Sequence, residues 1–312
     1  MQEDLDRFIN MIDPLQTHIK GKLPFIWVFG NGAEQIKRIG CVTDEFHPTH
    51  LKFSLYRELS SNRAKFFQWS LYTEKSNELT KLIRIPEQYP EWESYRSQYT
   101  NLVDFELDVI SISQGAIIFS ESIGAHVEIG MLSCLTELHQ NILIVVDPNY
   151  IGDNCHSFFN LGAIEKIREN RLDNITNVWA FENIHNNEKL SDEFRSISDH
   201  MLNIITTDSK MPLSAKNKSH ISLLLLDLID LFPNNCKLFY RKALEKFEIN
   251  IQPRELKNIL FLLKLLGLIT EHPSGKNEKL KTFNEKYLSC INYQKGNKIF
   301  KRADFVIERS KK

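Results

Sequence analysis

No uninterrupted apolar run in these 312 residues reaches bilayer length. Even Ile221 to Phe232 is too short for a span and holds Asp227 and Asp230. A surplus of either charge is missing too. With 39 Lys and Arg against 40 Asp and Glu, the formal net charge is -1, which excludes a globally basic nucleic-acid binder and confines any electrostatic surface to a local patch. The five cysteines, Cys41, Cys134, Cys155, Cys236 and Cys290, include no Cys-x-x-Cys pair and no histidine neighbours at zinc spacing. That pattern points to reduced thiols in a cytoplasmic protein, with no metal site and no cofactor implied. The opening Met1-Gln-Glu-Asp-Leu-Asp-Arg7 is acidic, against a signal peptide. What is present is the composition of a globular protein, 42% hydrophobic and 25% charged, long enough for one large or two ordinary domains.

The stretch from Gln114 to Gly130 has the pattern of a buried strand, a tight turn and the start of a helix. Ala116 to Phe119 is a short apolar run of the kind covered on both faces in an α/β domain. Gly124 permits a sharp reversal, and Ala125 to Leu132 continues at helical spacing. Glu128 then sits near a helix N-terminus beyond the carboxyl end of a strand, where open α/β sheets place ligands, and the helix dipole should keep it ionised.

Around that stretch the rest of the first half falls into place. Leu5, Phe8, Ile9, Ile12 and Leu15 have helical spacing, interrupted near Pro14, over residues 4–19. Pro24 to Phe29 is a strand ending in Gly30-Asn31-Gly32, a turn that lets backbone approach a ligand closely. Helical spacing resumes at Leu51, Leu55 and Leu59, and Phe66 to Leu71 is expected to be a second strand. Thr73 to Thr100 is polar, with Tyr89, Trp92, Tyr95 and Tyr99, and predicts a loop with short helical pieces that either covers a pocket or packs on the surface. Leu102 to Ile112 is a helix that leaves Glu106 and Asp108 off its apolar face. Asn141 to Asp147 and Asn177 to Phe181 are further strands. Strands alternating with helices predict a parallel sheet with right-handed crossovers.

Past a polar stretch near Pro212 to Lys218, Ser219 to Phe232, Lys237 to Phe247 and a segment from Gln252 to Gly267 are helical, and Leu268 to Phe283 is a hairpin turning at Ser274 to Asn277. Lys276, Lys279 and Lys281 on that hairpin suit phosphate contacts, as do the cations of the C-terminal tail. The third helix contains Ile259-Leu-Phe-Leu-Leu-Lys-Leu-Leu266, apolar nearly all round, which leaves Arg254, Lys257 and Asn258 at its start and disfavours base reading.

Ser120-Glu-Ser-Ile-Gly-Ala-His-Val-Glu-Ile-Gly130 resembles the nucleophile turn of nucleoside deoxyribosyltransferase-like proteins, and more closely that of retron effectors carrying such a domain. Ser157-Phe-Phe-Asn-Leu-Gly162 resembles a segment after the next strand in those effectors. The resemblance covers most of residues 22–185, and the three helices with their hairpin resemble a winged-helix domain. It implies an α/β fold: a helix over 1–20, a parallel-sheet, Rossmann-like deoxyribosyltransferase-like domain over 21–185, a helical linker over 186–218, a smaller α+β winged-helix domain over 219–293, and a basic tail over 294–312. It also implies an N-glycosidase with Glu128 as nucleophile, Glu106 assisting, and substrate contacts from Gly30, Asn31, Gly32, Ser122, Gly124 and Asn160. Where many deoxyribosyltransferases carry an aspartate six residues before the nucleophile, this chain has Ser122. That disfavours a free deoxynucleoside and suits a larger nucleotide such as NAD.

Two functions from different classes follow. One is an anti-phage retron effector whose implied partners are a reverse transcriptase and its RNA-linked DNA (msDNA), acting on a nucleotide away from membranes, with self-association left open. The other is a non-catalytic nucleotide sensor or transcription regulator. If Lys279 and Lys281 on the hairpin neutralise phosphates, replacing either by Ala should reduce the slope of log affinity against log salt by about 0.7 to 0.9, equally for native and scrambled sequences. Strong discrimination among scrambled duplexes at high salt would favour the regulator instead.

Overall fold

The computed structural model describes residues 2–40, 59–73, 77–169, 175–182, 187–205, 210–274, 277–282 and 289–310. In chain order they carry α1 (Gln2–Met11), β1 (Asp13–Ile19), β2 (Leu23–Phe29), α2 (Ala33–Gly40), α3 (Asn62–Thr73), β3 (Ile83–Arg84), α4 (Leu102–Ile112), β4 (Ser113–Phe119), α5 (Ile123–Leu132), β5 (Ile142–Val146), α6 (Glu165–Glu169), β6 (Val178–Ala180) and α7 (Asn187–Ile205). Then follow β7 (Met211–Pro212), α8 (Lys218–Leu231), α9 (Lys237–Glu245), α10 (Pro253–Leu265), β8 (Ile269–Ser274), β9 (Asn277–Thr282), β10 (Ile291–Lys295), β11 (Lys298–Ile299) and α11 (Arg302–Ser310). Two compact units result, one from Pro24–Pro90 with Ser113–Thr207, the other from Met1–Leu23, Glu91–Ile112 and Asp208–Lys312.

The first unit is an α/β layer built on a five-stranded sheet in the order β3-β2-β4-β5-β6, with parallel pairing of β2 to β3, β4 to β5 and β5 to β6. Ile142 to Val146 are buried without exception, as are Ala116 to Phe119, because helices cover both faces of a parallel sheet. From β2 the chain steps outward to β3, then β4 returns on the other side of β2 and the order continues through β5 and β6. The reversal lies between β2 and β4, the place where such sheets open a crevice at their carboxyl ends. The core joins α3 and α7, with Phe66 against Trp69 and Phe194 at ring separations of 5.5 and 5.4 Å.

Phe66 to Leu71, expected as a strand, belongs to helix α3. Its Phe66, Phe67 and Trp69 favour strands in isolation. Here Gln68 and Ser70 are buried as well, so the helix is enclosed nearly all round and shows no amphipathic period to reveal it. The expected helix near Leu51 and Leu55 falls outside the described residues. Tyr89 to Tyr99 does form short 3-10 turns, and Trp92, Tyr95 and Tyr99 gather on Phe105 of α4 at 4.8, 5.9 and 5.3 Å, so the last three of these aromatics pack within the second unit.

In the second unit an antiparallel sheet runs β11-β10-β1-β7. The expected helix over residues 4–19 stops at Met11, and Asp13–Ile19 is a strand instead. Pro14 explains the break, since it lacks an N–H and pushes the residue before it out of the helical region. Because β1 pairs with β10 as well as β7, a cut between residues 212 and 219 would separate β1 from β10 and leave it only the two residues of β7. The helices α8, α9 and α10 precede the β8–β9 hairpin in the expected order, and Ser274 pairs with Asn277 at its turn. Residues 294–312 carry β11 and α11, and Arg302 there binds both oxygens of Asp227 at 2.9 and 2.8 Å and also reaches Asp230. Asp227 is fully buried and takes a further bond from the Tyr293 hydroxyl at 2.7 Å.

Removing one partner of such a buried pair leaves the other charge uncompensated. Asp227→Ala should therefore lower stability by about 3–5 kcal/mol in urea denaturation. A destabilisation well under 1 kcal/mol would mean that Arg302 finds enough of its bonding elsewhere.

Candidate active site

At the carboxyl end of β2 the chain makes Gly30-Asn31-Gly32 with φ of +137° and +90° at the two glycines, a region that side chains disfavour. A Cβ on Gly32 would lie 2.6 Å from Ser61 Cβ, and one on Gly30 2.8 Å from the Phe119 carbonyl. The close approach that these glycines allow is thus to the chain's own α3 entry and β4 end. Ser61 fixes it by donating to the Asn31 carbonyl at 3.0 Å.

Arg63, the second residue of α3, is buried under that turn. Its Nε donates to the Val28 carbonyl at 3.0 Å and its Nη1 to the Gly30 carbonyl at 3.2 Å. Nη1 and Nη2 then grip both oxygens of Glu87 at 2.9 and 2.7 Å, a fork-to-fork ion pair. The helix start is held from the other side by Glu121, whose Oε1 accepts from the backbone N–H of Asn62 at 2.7 Å and of Arg63 at 3.2 Å. A carboxylate is well placed there by the dipole of α3. Burial nevertheless pushes the Glu121 carboxyl above its ordinary value, against the Ser61 side chain, those backbone bonds and the Lys65 charge.

The turn from β4 into α5 is made by Glu121 and Ser122. Ser122 is the N-cap, extended at φ -144°, with its Oγ accepting from the Ala125 N–H at 3.1 Å. Gly124, expected to make the reversal, lies inside the first helical turn and has no left-handed φ. Glu128 falls in the second turn, beyond the reach of most of the helix dipole. Burial works against the expected ionisation. Desolvation by burial pushes its carboxyl up to about 7; Arg63 opposes the rise and Glu87 adds to it. Glu128 Oε2 is buried with no hydrogen-bond partner among the described residues.

A cavity of about 230 Å³ opens at the carboxyl ends of β4 and β5, lined among others by Ser120, Glu121, His126, Asp147, Tyr150 and Phe181. Glu128 is not among the lining residues, and neither are Gly30, Asn31, Gly32, Ser122 or Gly124. Helix α5 therefore serves two places: His126 borders the cavity and Glu128 feels the Arg63–Glu87 pair. Asn160 is buried and donates to the Gly152 and Cys155 carbonyls at 3.0 and 2.8 Å, which pins the loop between them. Glu106 lies on α4 in the second unit, buried where the sequence placed it off the apolar face. Lys276 is outside the described residues, and Lys279 and Lys281 are exposed on β9. Arg254 and Lys257 line an open cleft with Arg96.

Sequence reasoning misses Arg63, Glu87, Glu121 and Asp147 as site residues. Glu121 and Asp147 carry a signal, each being an acid at the end of an apolar strand, but the Arg63–Glu87 pair spans 24 positions without a motif. Among the described residues no group of His, Cys, Asp and Glu could hold a metal ion, and no described helix is long and apolar enough to cross a membrane. A family model described as STM3845 retron effector protein matches residues 59–271, which takes in Arg63, Glu121 and Glu128 and leaves the Gly30–Gly32 turn outside. No curated protein matches the chain.

The raised Glu128 carboxyl has a consequence for stability. Between about pH 4.5 and 7 the folded chain keeps a proton that the unfolded chain has released, so this group's contribution falls as pH rises through that window. Glu128→Gln, which cannot ionise, should be more stable than the native chain by about 1–3 kcal/mol near pH 8, with the gap closing toward about pH 4. Equal urea midpoints at both pH values would show that Glu128 is solvated in the folded state.

Proposed function

Because the chain belongs to the STM3845 retron effector family, we propose that it is the toxic effector of an anti-phage retron, an N-glycosidase that cleaves a nucleotide through Glu128. Its role in retron defence follows from the family; the chemistry rests on one observation. Glu128 is a half-buried acid whose Oε2 is buried and unpartnered, just past the sheet's reversal point and within the field of the Arg63–Glu87 pair.

Breaking a C–N glycosidic bond leaves positive charge on the sugar while the departing base takes the bonding electrons. An ionised Glu128 meets that charge, either by bonding to the anomeric carbon or by holding the cation until water attacks. Arg63 favours the ionised form, and the forming sugar cation would favour it further. The other half of the substrate would include phosphate, as in a nucleotide of the size of NAD. The reverse transcriptase and its RNA-linked DNA are the partners that would hold the activity in check.

Purified protein incubated with a panel of nucleotides and read by mass spectrometry should release a free base. The rate should rise with pH through about 7 and level off above it, because the active form of Glu128 is the carboxylate. Glu128→Gln should keep the fold and slow base release by roughly a thousandfold or more. A folded variant that releases base at the native rate would remove Glu128 from the chemistry.

A further inference from the structure

Three polar atoms of the cavity at the ends of β4 and β5 are buried and lack a hydrogen-bond partner among the described residues: Ser120 Oγ, Glu121 Oε2 and His126 Nε2. Ser120 is only 6% exposed. One such atom is an ordinary blemish, but three on residues that line one cavity leave open bonding capacity that a ligand is suited to take up. Among the described residues no Lys or Arg lines the cavity, whereas Glu121 and Asp147 both do. With two acids in the lining and Lys65 acting on Glu121 only from outside it, the cavity disfavours phosphate and carboxylate and favours a neutral or positively charged group that donates hydrogen bonds. Phe119, Tyr150 and Phe181 supply ring surfaces, and the His126 ring is itself held at 4.6 Å from Phe159 and 5.8 Å from Tyr150. Flat walls of this kind fit a planar ring.

We propose that this cavity is the pocket for the base half of the substrate, a planar nitrogen heterocycle whose N–H groups donate to Glu121 and which bonds Ser120 and His126 with its remaining polar edge. The proposal rests on the N-glycosidase reading, and it adds which residues hold the base and that the phosphate half must lie outside this cavity. Glu121 already commits one oxygen to the start of α3, so the other is presented in a fixed direction. Asp147 is likewise oriented, with Oδ1 accepting from the Asn149 N–H at 2.8 Å. The site is therefore built before a ligand arrives, and little ordering cost is left to binding.

The test is binding without chemistry. The full chain is titrated with adenine and with cytosine, and separately with ribose 5-phosphate, by calorimetry or ligand-detected NMR. Free base should bind, and ribose 5-phosphate should not displace it. Glu121→Gln and His126→Ala should each weaken base binding by about tenfold or more, the size of one hydrogen bond to a buried group. Circular dichroism checks that each variant is folded, and Ser120→Ala, which removes a single oxygen, serves if Glu121→Gln disturbs α3. Val127→Ala, on the exposed side of α5, should bind base as the native chain does. Absence of base binding, displacement by ribose 5-phosphate, or native-like affinity in all three cavity variants would overturn the proposal. Glu128→Gln should bind base normally, so the two readings fail separately: base release that survives this variant ends the role of Glu128, and bases that do not bind end the pocket.

Discussion

A guanidinium taken out of water must find an oxygen for nearly every N–H, and the candidate site is arranged around how Arg63 does so. Its bonds go to the Val28 carbonyl of β2, the Gly30 carbonyl just past it and the carboxylate of Glu87, so one side chain fixes the end of a strand, the glycine turn after it and the 3-10 turn at Pro86–Gln88. Its own backbone N–H is capped by Glu121 from the end of β4. The two strands that flank the sheet's reversal point are thereby tied to one helix start. Replacing the ion pair with apolar groups could leave the unit folded, but it would remove the two opposed charges that adjust the proton affinity of Glu128 on top of the larger effect of burial.

The same arrangement separates two electrostatic settings on α5. Glu128 lies in the field of one cation and one acid and holds its proton up to about 7. His126, two positions earlier, faces a cavity in which the charged groups among the described residues are acids alone. A helix places residues two apart on well-separated sides, so a short segment can present different chemistry to different parts of a substrate.

Legibility in the sequence differs from one element to the next. The strands β4 and β5 are readable because continuous apolar runs bounded by polar residues mean little else, α4 because its apolar positions recur at helical spacing, and α8 and α10 because their apolar runs are too long for ordinary strands and are bounded by Pro233, Pro253 and Gly267. Helix α3 is not readable: enclosure on nearly all sides erases the period, and Phe66, Phe67 and Trp69 then suggest a strand. Glu128 stands out from its local motif, but its protonation does not, since counting from the helix start captures the dipole and misses the burial. The Arg63–Glu87 pair depends on two distant segments meeting and leaves no local trace.

The position of β1 also sets an order of assembly. Ile19 pairs with Ile291, near the other end of the chain, while the strands β2 to β6 all lie between residues 23 and 180. During synthesis the parallel sheet has all its strands before β10 exists, so the first unit can close its core while β1 is still waiting, paired at most with the two residues of β7. The second unit, bound by contacts of such long sequence separation, is the slower to form. A chain halted before residue 291 would carry the whole candidate site without the β10 partner of β1, so the second unit takes shape only after β10 has been made.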